Sequence, residues 1–257
     1  MKNRVLKLLV LPFRLVFLAF VNPHGLKEVL GVANKLSENY FKPDSDPSSI
    51  PVVSLTSFAE KGATMRAKIV LLPALHFSVT TVEALTLAVL VRFTKATQVF
   101  EFGTHRGVST TQLAANLEDG GKVTTLDLPL DFGKHQLSVD NSAEIEVAQY
   151  KKKGEMIPDD LRARVDFLSE DSASFNPAPY AGLMDMVFVD AAHTFDYVKN
   201  DSEKAWVMLR PGGMVVWHDC RPQSPDVVRY LRGCSFAVKR IDGTTLAFAE
   251  KISPDPY

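Results

Sequence analysis

Five short apolar runs constrain this chain more than anything else in it: Gln98–Phe102, Lys122–Asp127, Val165–Leu168, Asp185–Asp190 and Met214–His218. Most are apolar at consecutive positions, the pattern of strands buried on both faces rather than one. Helical periodicity fills the gaps at Ser109–Leu117 and Phe195–Leu209 and resumes after the fifth run at Pro225–Leu231, while Ser78–Thr94 opens on Ser/Thr and continues as an amphipathic helix. Strands and helices in alternation predict a doubly wound α/β sheet with right-handed crossovers. The chain then changes character. Phe236–Ile241 and Thr244–Ala249 flank Asp242-Gly243, a hairpin of two strands around a tight turn.

The 46% hydrophobic content is ample for such a core and excludes a disordered or collagen-like chain. A net charge of -1 argues against a dedicated nucleic-acid binder, yet that figure hides an asymmetry. Met1–Val21 carries Lys2, Arg4, Lys7 and Arg14 with no acid, so this stretch is +4 and the rest is -5. Val5–Val21 is the most apolar part of the chain, but as a helix it would be about 25 Å long, short of the roughly 30 Å hydrocarbon core. Lys7, Pro12 and Arg14 interrupt it, and Ala19-Phe20-Val21 is a poor cleavage site for a signal peptide. Leu6, Leu9, Phe13, Phe17 and Phe20 recur at helical spacing. That fits a helix lying on a membrane surface, and equally one packed on protein. A further helix, Leu26–Tyr40, precedes a breaker-rich linker, Lys42–Pro51. The expected division is therefore an extension over 1–50 and a main domain over 51–257. Two cysteines, Cys220 and Cys234, form no CxxC motif and read as small buried thiols in a reducing, cytoplasmic compartment, with contact at the membrane surface left to residues 1–21.

In an open α/β sheet, ligands bind beyond the carboxyl ends of the strands. The first predicted strand runs into Glu101-Phe102-Gly103-Thr104-His105-Arg106-Gly107-Val108-Ser109, where two glycines allow a tight turn and close approach to a ligand. This is not the dinucleotide GxGxxG, and an ordinary strand-to-helix turn reads the same way. The second ends at Asp127, about twenty residues on, where a carboxylate can accept hydrogen bonds from ribose hydroxyls. The third leads into Asp171-Ser172, either a solvated turn or an acceptor for an exocyclic amine. The fourth and fifth end in Asp190-Ala191-Ala192-His193 and His218-Asp219. Two carboxylates with two histidines at adjacent strand ends suit a divalent cation, Mg²⁺ for oxygen ligands and Mn²⁺ or another transition metal where imidazole joins them. His193 is placed to take a proton from a bound hydroxyl. Leu128–Arg164 is polar and uneven, a candidate lid, and its Lys151-Lys152-Lys153 reads as a solvated face. His24, His76, His105 and His135 read as structural or exposed.

Together these segments resemble the class I S-adenosylmethionine-dependent methyltransferases, most closely the small-molecule O-methyltransferases of the macrocin and mycinamicin sugar type. The resemblance covers roughly Ser78–Ile252 and is most specific over Asp185–Val198 and in Leu209-Arg210-Pro211-Gly212-Gly213 followed by Trp217-His218-Asp219. It implies a Rossmann-like seven-stranded methyltransferase sheet whose last strand inserts antiparallel. Carried over residue by residue, it implies that Glu101, Gly103, Thr104, Gly107 and Ser109 flank the methionine part of the S-adenosyl-L-methionine cofactor, with Asp190 nearby. Asp127 would then hold the ribose, and Asp171 with Ser172 would meet the adenine. His193 would be the base beside Asp190, and Asp190, His218 and Asp219 the metal set. His218 departs from the acidic residue expected there. The implied reaction is methylation of a small hydroxylated substrate (a sugar, polyol or polyphenol-like molecule); the oligomeric state is left open between a monomer and a homo-oligomer. Two other readings fit less well. A nicotinamide-dependent oxidoreductase lacks its GxGxxG here, and a non-catalytic, membrane-associated scaffold would not need so many acids at strand ends.

Overall fold

The computed structural model describes residues 46–59, 64–73, 75, 77–129, 136–139, 145–147 and 149–251. The expectations for Val5–Val21, Leu26–Tyr40, His24, His76 and His135 fall outside these residues, as do the first part of the linker and the end of the chain. Among the described residues no helix is long and apolar enough to cross a membrane.

Eight strands form one sheet: β1 (Val52–Val53), β2 (Gln98–Phe102), β3 (Lys122–Asp127), β4 (Val165–Ser169), β5 (Met184–Val189), β6 (Leu209–Trp217), β7 (Lys239–Ile241) and β8 (Ala247–Glu250). Their spatial order is β1-β7-β8-β6-β5-β2-β3-β4. β8 runs antiparallel to both β6 and β7, and the other pairings are parallel. This is a Rossmann-like methyltransferase fold with the expected antiparallel insertion. The sheet has eight strands rather than seven because Val52 and Val53, just past the linker, pair with Arg240 and Ile241. Two valines between breakers give too short a pattern to read as a strand; the open edge of β7 supplies the partner.

The helices are α1 (Thr81–Phe93), α2 (Val108–Asn116), α3 (Asp159–Arg162), α4 (Phe195–Met208) and α5 (Pro225–Gly233). α1 begins later than its Ser/Thr-rich start suggests, because Thr80 and Glu83 form a reciprocal capping box: Thr80 Oγ1 accepts from Glu83 N, and Glu83 Oε2 accepts from Thr80 N at 2.9 Å. β5 is buried along its whole length, as its unbroken apolar run requires. Phe100, Phe102, Val187 and Trp217 fill one side of the sheet, under α4 and α5, while Val99, Val123, Phe188 and Val216 fill the other, under α1 and α2. β6 starts at Leu209, earlier than expected. Leu209 pairs with Met184 and Met214 with Met186, so Arg210–Gly213 bulges out opposite Asp185, whose carboxylate accepts from Arg210 Nε and from the Thr97 and Gln98 amides. Both cysteines are unpaired, Cys220 buried and Cys234 half-buried, and burial pushes the Cys220 thiol up to about 12.

Candidate active site

The carboxyl ends of β2 to β6 and the amino end of α1 surround one crevice of about 990 Å³. Gly103, Asp127, Asp171, Ser172, Asp190, His193, His218 and Asp219 all line it, so residues predicted from five separate strand ends meet in one place.

Gly103 makes the floor. At φ +96° it passes so close to β5 that a Cβ would sit 2.1 Å from the Asp190 carbonyl oxygen. Only glycine lets these two strand ends approach, and the space above is what a ligand would use. Gly107, at φ +85°, turns the chain into α2, and Ser109 lies in that helix's first turn. Glu101 differs from expectation. Its side chain is fully enclosed and is not part of the crevice lining; Glu101 Oε2 accepts from Thr110 Oγ1 at 2.5 Å and Thr125 Oγ1 at 2.6 Å. Thr104, which does line the crevice, joins this group through Thr125 at 2.7 Å. Burial raises the Glu101 carboxyl to about 7 against the lowering effect of these hydroxyls. Glu101 thus braces the glycine turn from below.

Asp127 closes β3 and lines the crevice, and its oxygens already have company. Oδ2 accepts from the His105 amide at 2.7 Å; Oδ1 accepts from the Leu128 amide at 2.7 Å and from Lys153 Nζ at 2.5 Å. Lys153 therefore corrects the reading of its tri-lysine run as a solvated face. The segment around it is bonded to the glycine turn by Gly154 N to His105 O at 2.8 Å and Met156 N to Arg106 O at 2.9 Å. His105, at φ 44°, is a non-glycine in the left-handed region, and burial lowers its pKa. Asp171 is tied from behind: Tyr197 Oη donates to its carboxylate at 2.9 Å, joined by the amides of Ala173 and Gln136. Asn200 and Lys204 of α4 both donate to Ser172 O, so one helix face holds the Asp171-Ser172 loop.

On the opposite side the charged groups interlock. His193 Nε2 lies 2.8 Å from Asp219 Oδ2 and 3.9 Å from Asp190 Oδ1. His218 Nδ1 lies 3.0 Å from Asp190 Oδ1, and its Nε2 faces Glu83 Oε2 at 3.4 Å. Burial alone would lower the His218 pKa, but Asp190, Glu83 and Asp219 raise it well above the ordinary 6.5. Burial would likewise raise Asp219; His193, His218 and Arg221 instead bring it down to about 2. Asp219 sits at φ 59°, where aspartate is among the few tolerated side chains, and this turn aims its carboxylate at His193. Glu83 was not anticipated as a site residue. It accepts from Thr245 N at 2.9 Å and Thr245 Oγ1 at 2.7 Å as well as facing His218, so it links α1, the loop before β8 and the end of β6. The pattern Thr80-x-x-Glu83 marks a helix start in sequence. Nothing in it announces the histidine 135 residues further on.

One donor atom each from Asp190, His193, His218 and Asp219 lies within 4.8 Å of the others, and no other such cluster occurs among the described residues. Two carboxylates and two imidazoles at that separation fit a divalent transition ion better than Mg²⁺, which favours all-oxygen shells. His218 Nδ1 is the nitrogen turned to this group, 3.0 Å from Asp190 Oδ1 and 3.6 Å from Asp219 Oδ2.

Residues 100–220 match the profile of a family described as a methyltransferase domain, from β2 through the end of β6. Comparison with curated protein sequences gives no match. Among solved structures, cofactor-bound Rv0187 from MTB superposes with a TM-score of 0.50 at 19% identity, over 70% of this chain and 84% of that one. The O-methyltransferase TomG from Streptomyces achromogenes, involved in tomaymycin synthesis and solved with SAM, gives 0.47 at 22% identity over 68% and 81%. An O-methyltransferase from Bacillus cereus in complex with SAH gives 0.49 at 19% identity over 68% and 84%.

Proposed function

We propose that the methyltransferase-domain match over residues 100–220 reflects activity, and that the chain transfers a methyl group from S-adenosylmethionine to a hydroxyl oxygen of a small polyhydroxylated molecule. The observation that carries this reading is the His193–Asp219 pair at 2.8 Å, in the same crevice as the glycine turn and Asp127. The glycine turn and Ser109 would receive the methionine end of the cofactor, Asp127 the ribose, and Asp171 with Ser172 the adenine. The acceptor would occupy the half bounded by α1, His193, His218 and Asp219.

The sulfonium methyl needs no activation; the acceptor hydroxyl does. As the C–O bond forms, the C–S bond breaks and sulfur keeps its electron pair. The hydroxyl proton passes to the His193 imidazole, whose positive charge Asp219 then balances. His218, held between Asp190 and Glu83, keeps those two carboxylates from repelling the developing oxyanion. A divalent ion held by Asp190 and Asp219, with His218 joining them once it gives up its proton, would supply Lewis acidity toward vicinal hydroxyls and leave His193 to take the proton. We place the catalytic unit at 51–257, with residues 1–50 as an extension to it.

Calorimetry with S-adenosylmethionine, followed by a screen of hydroxylated metabolites with and without Mn²⁺ or Mg²⁺, tests the proposal. Wild-type protein should bind the cofactor, and His193→Asn should keep that affinity while losing about 10²–10⁴-fold in turnover. Absence of cofactor binding at millimolar concentration would overturn the reading.

A further inference from the structure

The Asp127 carboxylate presents a problem of counting. An ionised carboxylate offers about four acceptor positions. Three are taken by the His105 amide, the Leu128 amide and the Lys153 ammonium. A ribose diol bound through both hydroxyls needs two, and one remains.

Of the three resident donors, two are backbone. The His105 amide is part of the glycine turn, and the Leu128 amide belongs to the residue next to Asp127 itself; neither can withdraw without rebuilding the strand ends. Lys153 is different, because its ammonium ends a flexible four-carbon stem. The stem's base is nonetheless well anchored. Residues 150–157 are laced to the glycine turn through Gly154 and Met156, through Arg106 Nε to Glu155 Oε1 at 2.7 Å, and by Ile157, which is buried against α2. From this platform Lys153 Nζ reaches both Asp127 Oδ1 and the Leu128 carbonyl at 2.6 Å, and the pair is largely shielded, with side-chain exposures of 13% and 17%.

We infer that Lys153 is an internal ligand of the ribose-binding carboxylate, which an incoming ribose diol has to displace. This rests on the cofactor-binding reading above. Empty, the site keeps its buried acid satisfied by a lysine; filled, the two hydroxyls take over as donors and the ammonium swings outward from a fixed platform. The cost of breaking a charge-assisted bond is thereby subtracted from cofactor affinity. Ligands that do not call on two acceptor positions escape that cost, so the effect belongs to the diol rather than to the adenine.

The test is calorimetry on the full chain with S-adenosylhomocysteine, adenosine and 2′,3′-dideoxyadenosine, comparing wild type with Lys153→Met. Displacement predicts that the variant binds the two diol ligands ~3- to 10-fold more tightly while its affinity for the dideoxynucleoside is unchanged. Equal or weaker diol binding by the variant, with wild type still binding, would overturn the internal-ligand role and leave the cofactor reading standing. No binding by either protein would overturn both. A second measurement needs no variant: acylation of Lys153, followed by mass spectrometry of wild type, should accelerate when S-adenosylhomocysteine is added. Unchanged or slower labelling contradicts displacement.

Discussion

Glu83 shows how much one side chain can join. It caps α1, holds Thr245 and balances His218, all from a position only 2% exposed. Burial opposes its ionisation, but His218 and the Thr80 and Thr245 amides outweigh that and keep it ionised far below the ordinary carboxylate range. Removing one partner of a buried charge network strands the other. Glu83→Ala is therefore expected to cost about 3–5 kcal/mol in urea unfolding, whereas Glu83→Gln, which keeps the shape and one of the two acceptor oxygens, should cost less and chiefly lower turnover. At this scale legibility in the sequence was uneven. Asp127, Asp190, His193, His218 and Asp219 could be named because each closes or follows an apolar strand. Glu83 and Lys153 could not, since their partners lie on other elements and no local pattern encodes a contact 135 or 26 residues away.

Among the elements, the turn from β2 into α2 is the piece on which the rest of the site is registered. Gly103 N donates to Leu126 O at 2.8 Å and Asp190 N to Phe102 O at 2.9 Å, so three strand ends are locked at one level. Gly103→Ala should push β2 and β5 apart, because the clash is with backbone and no rotamer relieves it. A destabilisation of at least ~2 kcal/mol in chemical unfolding, with loss of S-adenosylmethionine affinity in calorimetry, is the expected result. The strands and helices themselves were readable because β5 and its neighbours are buried on both faces, and consecutive apolar residues mean little else at that length. What escaped was pairing that depends on distant partners: β1 is two residues long, and Leu209 pairs with Met184 across the Arg210–Gly213 bulge.

For the molecule as a whole, the response to pH follows from its enclosed acids. Burial raises Asp201, in the core side of α4, from 3.8 to about 7, against the lowering effects of Ser172, Asn200 and Lys204. Between those two values the folded chain holds a proton that the unfolded chain has lost. This contribution to stability is full below pH 3.8 and falls away as pH rises toward 7. Asp201→Asn should remove that decline, so its melting temperature should fall less than that of wild type between pH 5 and pH 8 in parallel thermal scans. The same global view gives meaning to the sheet order. β6 has β8 as its neighbour on one side, and β8 in turn is flanked by β7, whose other edge is covered by Val52–Val53. On a ribosome, β1 is made long before its partners Arg240 and Ile241 and waits for them. Until Ala247–Glu250 emerge, β6 is an open, apolar edge of the kind that recruits chaperones or aggregates. A chain cut short before Ala247 would therefore hold every residue of the proposed catalytic group and still carry a mark for degradation.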